Sequence, residues 1–383
     1  MPSVAERLNV AHRAGGVITP VLTALLAFLV GGVVVLITTG KNPLTTYRAI
    51  FDGSGLNWFF PWVSGAERVT AGLNLQQTLI YWVPLVLTGL AVAFAFRCGM
   101  FNIGGQGQYF VGSIFAVWVG SSFSGMQPFL HILLAVVAGT LGGAAWAGIA
   151  GILKATVGAH EVISTIMLNW IAIWVGSFLF GLGGPLQNTD PTQQSVPVSN
   201  DVVDGAKLPV WWGDPLLQGL HIGFFVAIAG LVVYWVLLNR TTLGFEVRAV
   251  GFNPEAARYG GIAVARNYFL AMAISGAFAG LAGTLDILGW QFRMTTSDIQ
   301  TSTIGFIGIA VALLGRNTAI GVALSGLLFA ALVNGTSTRN LDPEIFRPEL
   351  ASNLTLLIQG LVVLFVGADV IILTLWNRLR RRA

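Results

Sequence analysis

QQTLIYWVPLVLTGLAVAFAF, residues 76–96, runs for 21 positions without an Asp, Glu, Lys or Arg. Its apolar residues are continuous. A strand of a membrane barrel would alternate polar and apolar residues over about 10 positions instead. A helix needs about 20 mainly apolar residues to cross a hydrocarbon core about 30 Å thick. Lipid offers no hydrogen bonds, so a segment of this kind must satisfy its own backbone, and a helix does so. Residues 76–96 therefore predict a membrane-spanning helix.

The pattern repeats on both sides. Further apolar segments lie near 17–39, 104–121, 129–153, 162–182, 221–239, 267–288, 300–315, 317–335 and 353–377, some short enough to be half-helices. The 383-residue chain is 55% hydrophobic and 9% charged, with a mean hydropathy of +0.77. A soluble domain carries about 25% charged residues. The expected fold is an all-α integral membrane protein of about ten transmembrane helices, with residues 1–383 forming one transmembrane domain. The 48 glycines suit close helix packing in a bilayer. A single cysteine, Cys98, excludes an intrachain disulfide and a cysteine-rich metal site. No cleavable signal peptide is expected, because the first apolar run begins near Val17 and is too long for an h-region.

Lys and Arg set orientation. With the N-terminus in the cytoplasm and strict alternation, thirteen fall inside and seven outside. The tail NRLRRRA, residues 377–383, is the strongest single anchor. Both termini are then cytoplasmic. The longest outside piece is 183–220, which is rich in Asp and Pro and reads as an irregular cap. Its Trp211 and Trp212 suit the headgroup level. The loop 41–75, with YRAIFDG, has room for a short interfacial helix.

Several chemistries are missing. The one Gly-Lys pair, Gly40–Lys41, has Val35 and Asn42 where a phosphate-binding loop needs Gly and Ser or Thr. His12, His131, His160 and His221 are scattered without metal spacing, and no catalytic constellation stands out. The basic excess lies at loop ends rather than on one face, which argues against nucleic acid. The expectation is transport, with no catalytic residue and no metal. Asp286 and Asp369 are the ionisable residues within spans, and each lies near a segment end. An ion-coupled transporter usually shows more intramembrane charge, so that reading is the weaker alternative.

Two polar anomalies interrupt the apolar runs. FRCGMFNIGGQGQYF, residues 96–110, packs glycines between Asn102, Gln106 and Gln108. It reads either as a tight cytoplasmic turn or as a broken, re-entrant helix near 97–110 lining a cavity. In the second case Asn102, Gln106 and Gln108 offer uncharged hydrogen bonds to a small polar solute, and Phe101 and Tyr109 are placed to stack on a ring. GAHEVISTIMLNW, residues 158–170, puts Glu161 at the mouth of an apolar run, where it suits a helix N-terminus. The alternative is a pore-lining helix with Asn169 facing the path. GFIGIAVALLG, residues 305–315, is a candidate inverted-repeat counterpart.

The most charged stretch between spans is TTLGFEVRAVGFNPEAARYGGI, residues 241–262. Asn253 suits a helix cap, Pro254 the first turn, Glu255 the positive end, and Gly260–Gly261 the stop. A short helix here cannot bury a core of its own. It reads as a solvated connector, a membrane-surface helix or a docking element.

LGFEVRAVGFNPEAARYGGI resembles the cytoplasmic coupling loop of ABC-importer permeases of the ribose and branched-chain amino-acid group. FRCGMFNIGGQGQ and HEVISTIMLNWIA resemble the nucleoside-type branch. The likeness spans about 80–370. It implies a permease subunit for nucleosides or a related polar solute, with the same kind of machine for a sugar such as ribose as the alternative. It also implies two permease chains, often different, a cytoplasmic ABC ATPase carrying the ATP and Mg, and an extracytoplasmic binding lipoprotein. The setting would be a bacterial cytoplasmic membrane. Within the loop 240–265, Arg248, Gly251, Asn253, Glu255, Ala256, Ala257 and Gly261 match the coupling pattern, with Pro254 and Arg258 in the same helix. Asn102, Gly104, Gln106, Gly107, Glu161 and Asn169 match the branch pattern. Where the branch commonly has an acidic residue in GxEGQ, this chain has Gln106.

Overall fold

The computed structural model describes residues 21–37, 40, 42–214, 219–337 and isolated positions between 353 and 364. Arg7, Arg13, Lys41, Arg339, Arg347, Asp369, the tail and most of 353–377 lie outside the described residues.

The chain is built of helices: α1 (Val21–Ile37), α2 (Pro43–Gly53), α3 (Gly65–Arg97), α4 (Gly105–Ser122), α5 (Pro128–Val157), α6 (Glu161–Phe180), α7 (Gly223–Arg240), α8 (Thr242–Phe252), α9 (Pro254–Tyr259), α10 (Val264–Asp286), α11 (Thr296–Thr301), α12 (Ile304–Leu314) and α13 (Ala319–Gly335). Among the described residues six helical tracts are long and apolar enough to cross a membrane: α3, α5, α6, α7, α10 with its π-turn to Gln291, and α11 with α12. The shorter α1 and α13 are also apolar. The chain is an all-α, multi-pass membrane protein. Large apolar side chains such as Leu141, Ile163, Phe178 and Val232 stand exposed on α5, α6 and α7, where lipid would solvate them.

Three boundaries differ from the sequence reading. Helix α3 begins at Gly65 rather than near residue 76, because Glu67 in its first turn and apolar contacts extend it over a polar stretch. The segment 300–315 holds the end of α11 and the whole of α12, separated at Ser302–Thr303. A Thr295–Asp298 capping box starts α11, and Ser302 turns extended to end it. The cap at 183–220 is not wholly irregular. It contains strand β1 (Val210–Trp212), paired antiparallel with β2 (Leu220–His221), Val210 opposite His221 and Trp212 opposite Leu220. Helix α2 occupies the loop where a short helix was expected.

The described residues group into two compact units. One draws on 1–78, 313–316 and 328–383. There Asn334 Nδ2 donates to the Asn74 carbonyl (2.8 Å) and to Thr78 Oγ1 (3.0 Å), and Thr78 Oγ1 donates to the Ser54 carbonyl (2.6 Å).

The other unit draws on 79–312 and 317–327. Its centre is the crossing of α4, α5 and α10. Gly139 and Gly143 of α5 face Gly276 and Gly280 of α10, with Gly112 of α4 closing the third side. A Cβ on Gly143 would sit 2.6 Å from Gly280 Cα, so the helices meet backbone to backbone. Small residues at i and i+4 permit this approach. Helix α4 is buried along most of its length although Gln106 and Gln108 lie in its first turns.

Within this unit the cap is stitched to the end of α10. Val202 N donates to the Phe292 carbonyl (2.8 Å), Leu208 N to Leu288 (2.8 Å) and Ser199 N to Met294 (2.9 Å). His221 on β2 is buried, its Nδ1 accepting from Gly223 N at 3.1 Å. Burial pushes its imidazole pKa down from 6.5 to about 4. Below pH 6.5 the unfolded cap takes up a proton that the folded cap refuses. Cap stability is therefore full above pH 6.5 and falls as pH drops toward about 4. The Trp211–Trp212 fluorescence should report this loosening, and His221→Gln should flatten the pH dependence. A flat wild-type profile would contradict it.

Candidate functional site

The break between α3 and α4 is buried at Cys98, Met100, Asn102 and Gly104, half-buried at Phe101 and Ile103, and exposed at Gly99. Arg97 closes α3, donating from Nε (3.1 Å) and Nη2 (2.7 Å) to the Asn317 carbonyl. Gly99 then turns with φ +73° against Gly251 of α8; a Cβ there would meet Gly251 Cα at 3.2 Å. Phe101 packs its ring on Phe96, centroids 4.9 Å apart. Asn102 is 0% exposed. Its Nδ2 donates to Gln108 Oε1 (2.9 Å) and Ser275 Oγ (2.7 Å), and its Oδ1 accepts from Gly104 N (2.8 Å) and Gln108 Nε2 (3.0 Å).

Gln106 and Asn169 are also engaged with backbone. Gln106 Nε2 donates to the Ser302 carbonyl at 2.9 Å while its Oε1 accepts from Gly305 N at 2.7 Å. Asn169 Nδ2 donates to the Ile103 carbonyl at 2.9 Å and its Oδ1 accepts from Gly107 N at 2.8 Å. A Cβ on Gly107 would lie 2.9 Å from Asn169 Oδ1, so this contact needs glycine. Asn102, Gly104, Gln106, Gly107 and Asn169, with Gln108, therefore make up a buried polar network in which amide side chains bond backbone groups left open at helix ends; Glu161 stands apart from it. Tyr109 donates its hydroxyl to the buried Asp286 carboxylate, which also accepts from Gln291 Nε2 at 2.7 Å. Glu161, at the first turn of α6, pairs with Lys154 at 2.8 Å.

A cavity of about 410 Å³ opens beside this network. Helix α6 supplies Trp170 and Trp174, α12 supplies Phe306, the end of α11 supplies Gln300, and the α11–α12 connection supplies Ser302 and Thr303. Gln106 and Asn169 reach its wall; Phe101, Asn102, Gln108, Tyr109 and Glu161 are not among its lining residues. The lining contains no ionisable side chain. Sequence reading missed the three aromatic residues and the connection. The i, i+4 spacing of Trp170 and Trp174 and the Thr295–Asp298 capping box were the available signals.

Within the loop 240–265 the short helix starts and stops as the sequence predicts, and α8 (Thr242–Phe252) precedes it. Helix α9 spans Pro254–Tyr259, with Pro254 in its first turn and Asn253 Oδ1 accepting from Glu255 N (3.0 Å) and Ala256 N (3.1 Å). Gly261, φ +82°, follows its end. Ala257 is buried and Ala256 exposed. Arg248 Nε donates to the Gly244 carbonyl at 3.2 Å. Phe252 and Tyr259 are each 93% exposed. Glu255 and Arg258 lie 3.6 Å apart, also exposed.

Lipid-length helices, a mostly buried helix break beside an uncharged cavity, and a protruding capped helix define a membrane transport protein. The chain belongs to the family described as branched-chain amino acid transport system / permease component, which matches residues 74–374. It is a transport subunit, not an enzyme. It is 35% identical to the guanosine ABC transporter permease protein NupP of Bacillus subtilis, over 94% of this chain and 96% of that protein. It is 35% identical to the nucleoside ABC transporter permease protein NupB of Lactococcus lactis, over 86% and 87% of the two chains. It is 36% identical to the glucose ABC transporter permease protein TsgB13 of Haloferax volcanii, over 91% and 86%. No solved structure matches the chain.

Proposed function

We propose that this chain is the permease subunit of an ATP-driven importer for nucleosides or a closely similar uncharged, ring-bearing solute. The cavity carries this reading. Two tryptophans and a phenylalanine offer flat apolar faces, amides and hydroxyls stand among them, and no charge is present. A volume of about 410 Å³ falls within the ~300–1,000 Å³ of small-molecule sites. The likeness to nucleoside permeases supports it.

The rest of the proposal follows from the permease family and the sequence. The whole chain acts as one transmembrane domain of about ten helices, arranged as inverted repeats, in a bacterial cytoplasmic membrane with both termini inside. The broken segment 97–110 supports the path. A second permease chain, a different subunit, completes it. A cytoplasmic ABC ATPase holds ATP and Mg, an extracytoplasmic binding lipoprotein delivers the solute, and α9 transmits the ATPase closure. The glucose permease relative supports a second reading, the same machine for a sugar.

Uptake of radiolabelled uridine by cells expressing the intact system tests the reading. Unlabelled uridine and guanosine should compete, and ribose and glucose should not. ATP depletion should stop uptake, and collapse of the ion gradient should not. Competition by sugar alone would install the sugar reading. Arrest by gradient collapse alone would install an ion-coupled transporter.

A further inference from the structure

We propose that the solute is read by the end of α11 and its connection to α12, through Gln300, Ser302 and Thr303, and that Gln106 and Asn169 are positioning residues that hold this connection and the α4 entry in place. The inference rests on the cavity being the solute site.

The hydrogen-bond inventory separates the two groups. Both ends of each amide of Gln106 and Asn169 are bonded to backbone. An amide turned toward a solute would release a backbone group into a buried, water-poor site, which is costly. Gln106 also spans the helix break. It grips the Ser302 carbonyl with one end and the Gly305 N–H with the other. That clamp fixes Thr303 between the two grips.

The connection has spare capacity where the network has little. The Ser302 hydroxyl is buried without a hydrogen-bond partner, although the residue lines the cavity. A rotation about its χ1 toward a solute would relieve that unsatisfied group. Thr303 and Gln300 are exposed at the cavity wall. Their side chains supply a hydroxyl and a primary amide, both able to donate and accept. Helix α6 adds the aromatic faces of Trp170 and Trp174 to the same lining. Such a site takes a flat, uncharged heterocycle against the indoles and matches its hydroxyl and amide edge to the connection. A site built to bond a hydroxyl or N–H discriminates strongly against the analogue that lacks it. The connection therefore sets selectivity, and the network sets the geometry.

Uptake by the assembled system, scored on two solute pairs, tests this division. The pairs are uridine with 2′-deoxyuridine and guanosine with inosine. Thr303→Val or Gln300→Ala should raise the half-saturating concentration of the favoured member of at least one pair about tenfold and carry the pair's selectivity ratio toward one. Thr303→Ser should restore the ratio. Asn169→Ala and Gln106→Ala should lower the maximal rate and the melting temperature and leave the ratios within about twofold. Unchanged ratios in the connection variants, with shifted ratios in Asn169→Ala or Gln106→Ala, would overturn the assignment. If the wild-type system carries glucose and no nucleoside, the proposed function fails. The same variants scored on glucose against 2-deoxyglucose would then still decide which residues read the solute.

Discussion

Gly280→Val abolishes recovery of folded protein from detergent, or lowers the melting temperature further than any single polar substitution in the buried network. A Cβ on Gly280 would lie 2.5 Å from the Gly139 carbonyl oxygen and 2.9 Å from Gly143 Cα. Both neighbours are backbone, so no side chain can rotate away. The α5–α10 crossing must open, and the contact with α4 at Gly112 opens with it. Overpacking typically costs about 1–3 kcal/mol, and rigid backbone on both sides puts this site at or above the upper end. Gly72→Ala serves as the control. Its Cβ meets nothing closer than the Trp58 ring nitrogen at 3.5 Å, and alanine is the better helix former by about 0.5–1 kcal/mol. Thermal unfolding of both variants measures the difference. Equal melting temperatures would remove the glycine crossing from the account of the fold.

The second large effect is functional. Glu255→Lys combined with Arg258→Glu should cut ATP-driven uptake at least about tenfold, the equivalent of ~1.4 kcal/mol of lost coupling. The protein should still fold. The two side chains are 70% and 68% exposed and 3.6 Å apart, and an exposed pair of this kind is worth only about 0–1 kcal/mol. The double reversal also retains opposite charges at i and i+3. What it changes is the charge pattern offered by a six-residue helix that protrudes between Phe252 and Tyr259. Uptake and expression level should be measured together. Normal uptake by a well-expressed double variant would remove α9 as the coupling element.

The coupling helix was legible because each signal for it is local. Asn253 caps the N–H groups two and three residues ahead of it, Pro254 needs no donor, and Gly261 takes a left-handed turn without steric cost. The start of α11 carries an equally local signal, the Thr295 capping box, which the reading of 300–315 as one segment passed over. Helix α4 was legible as an apolar segment, 104–121, but its burial was not. Its glycines, Gln106 and Gln108 lower its hydropathy, while α5 and α10 cover it. The roles of its polar residues were hidden altogether. Asn169 bonds Gly107 across 62 positions and Gln106 bonds Ser302 across 196.

The amino-acid sequence by itself determined the solvent and the element type. An apolar run of membrane length must be helical in lipid wherever it falls, because its backbone bonds close within a few residues. It likewise determined where α9 starts and stops. Only the tertiary structure decided which polar side chains are bound to backbone and which remain at the wall of the cavity. Asn102, Gln106 and Asn169 look available in sequence, yet distant segments bring them partners, and Gln108 is taken up by Asn102. Gln300, Ser302 and Thr303 look like an ordinary helix end, yet they border the same cavity as Trp170 and Trp174. Hydropathy and capping are settled within one or two turns of chain, whereas a side-chain hydrogen bond is settled by whichever backbone the fold carries to it.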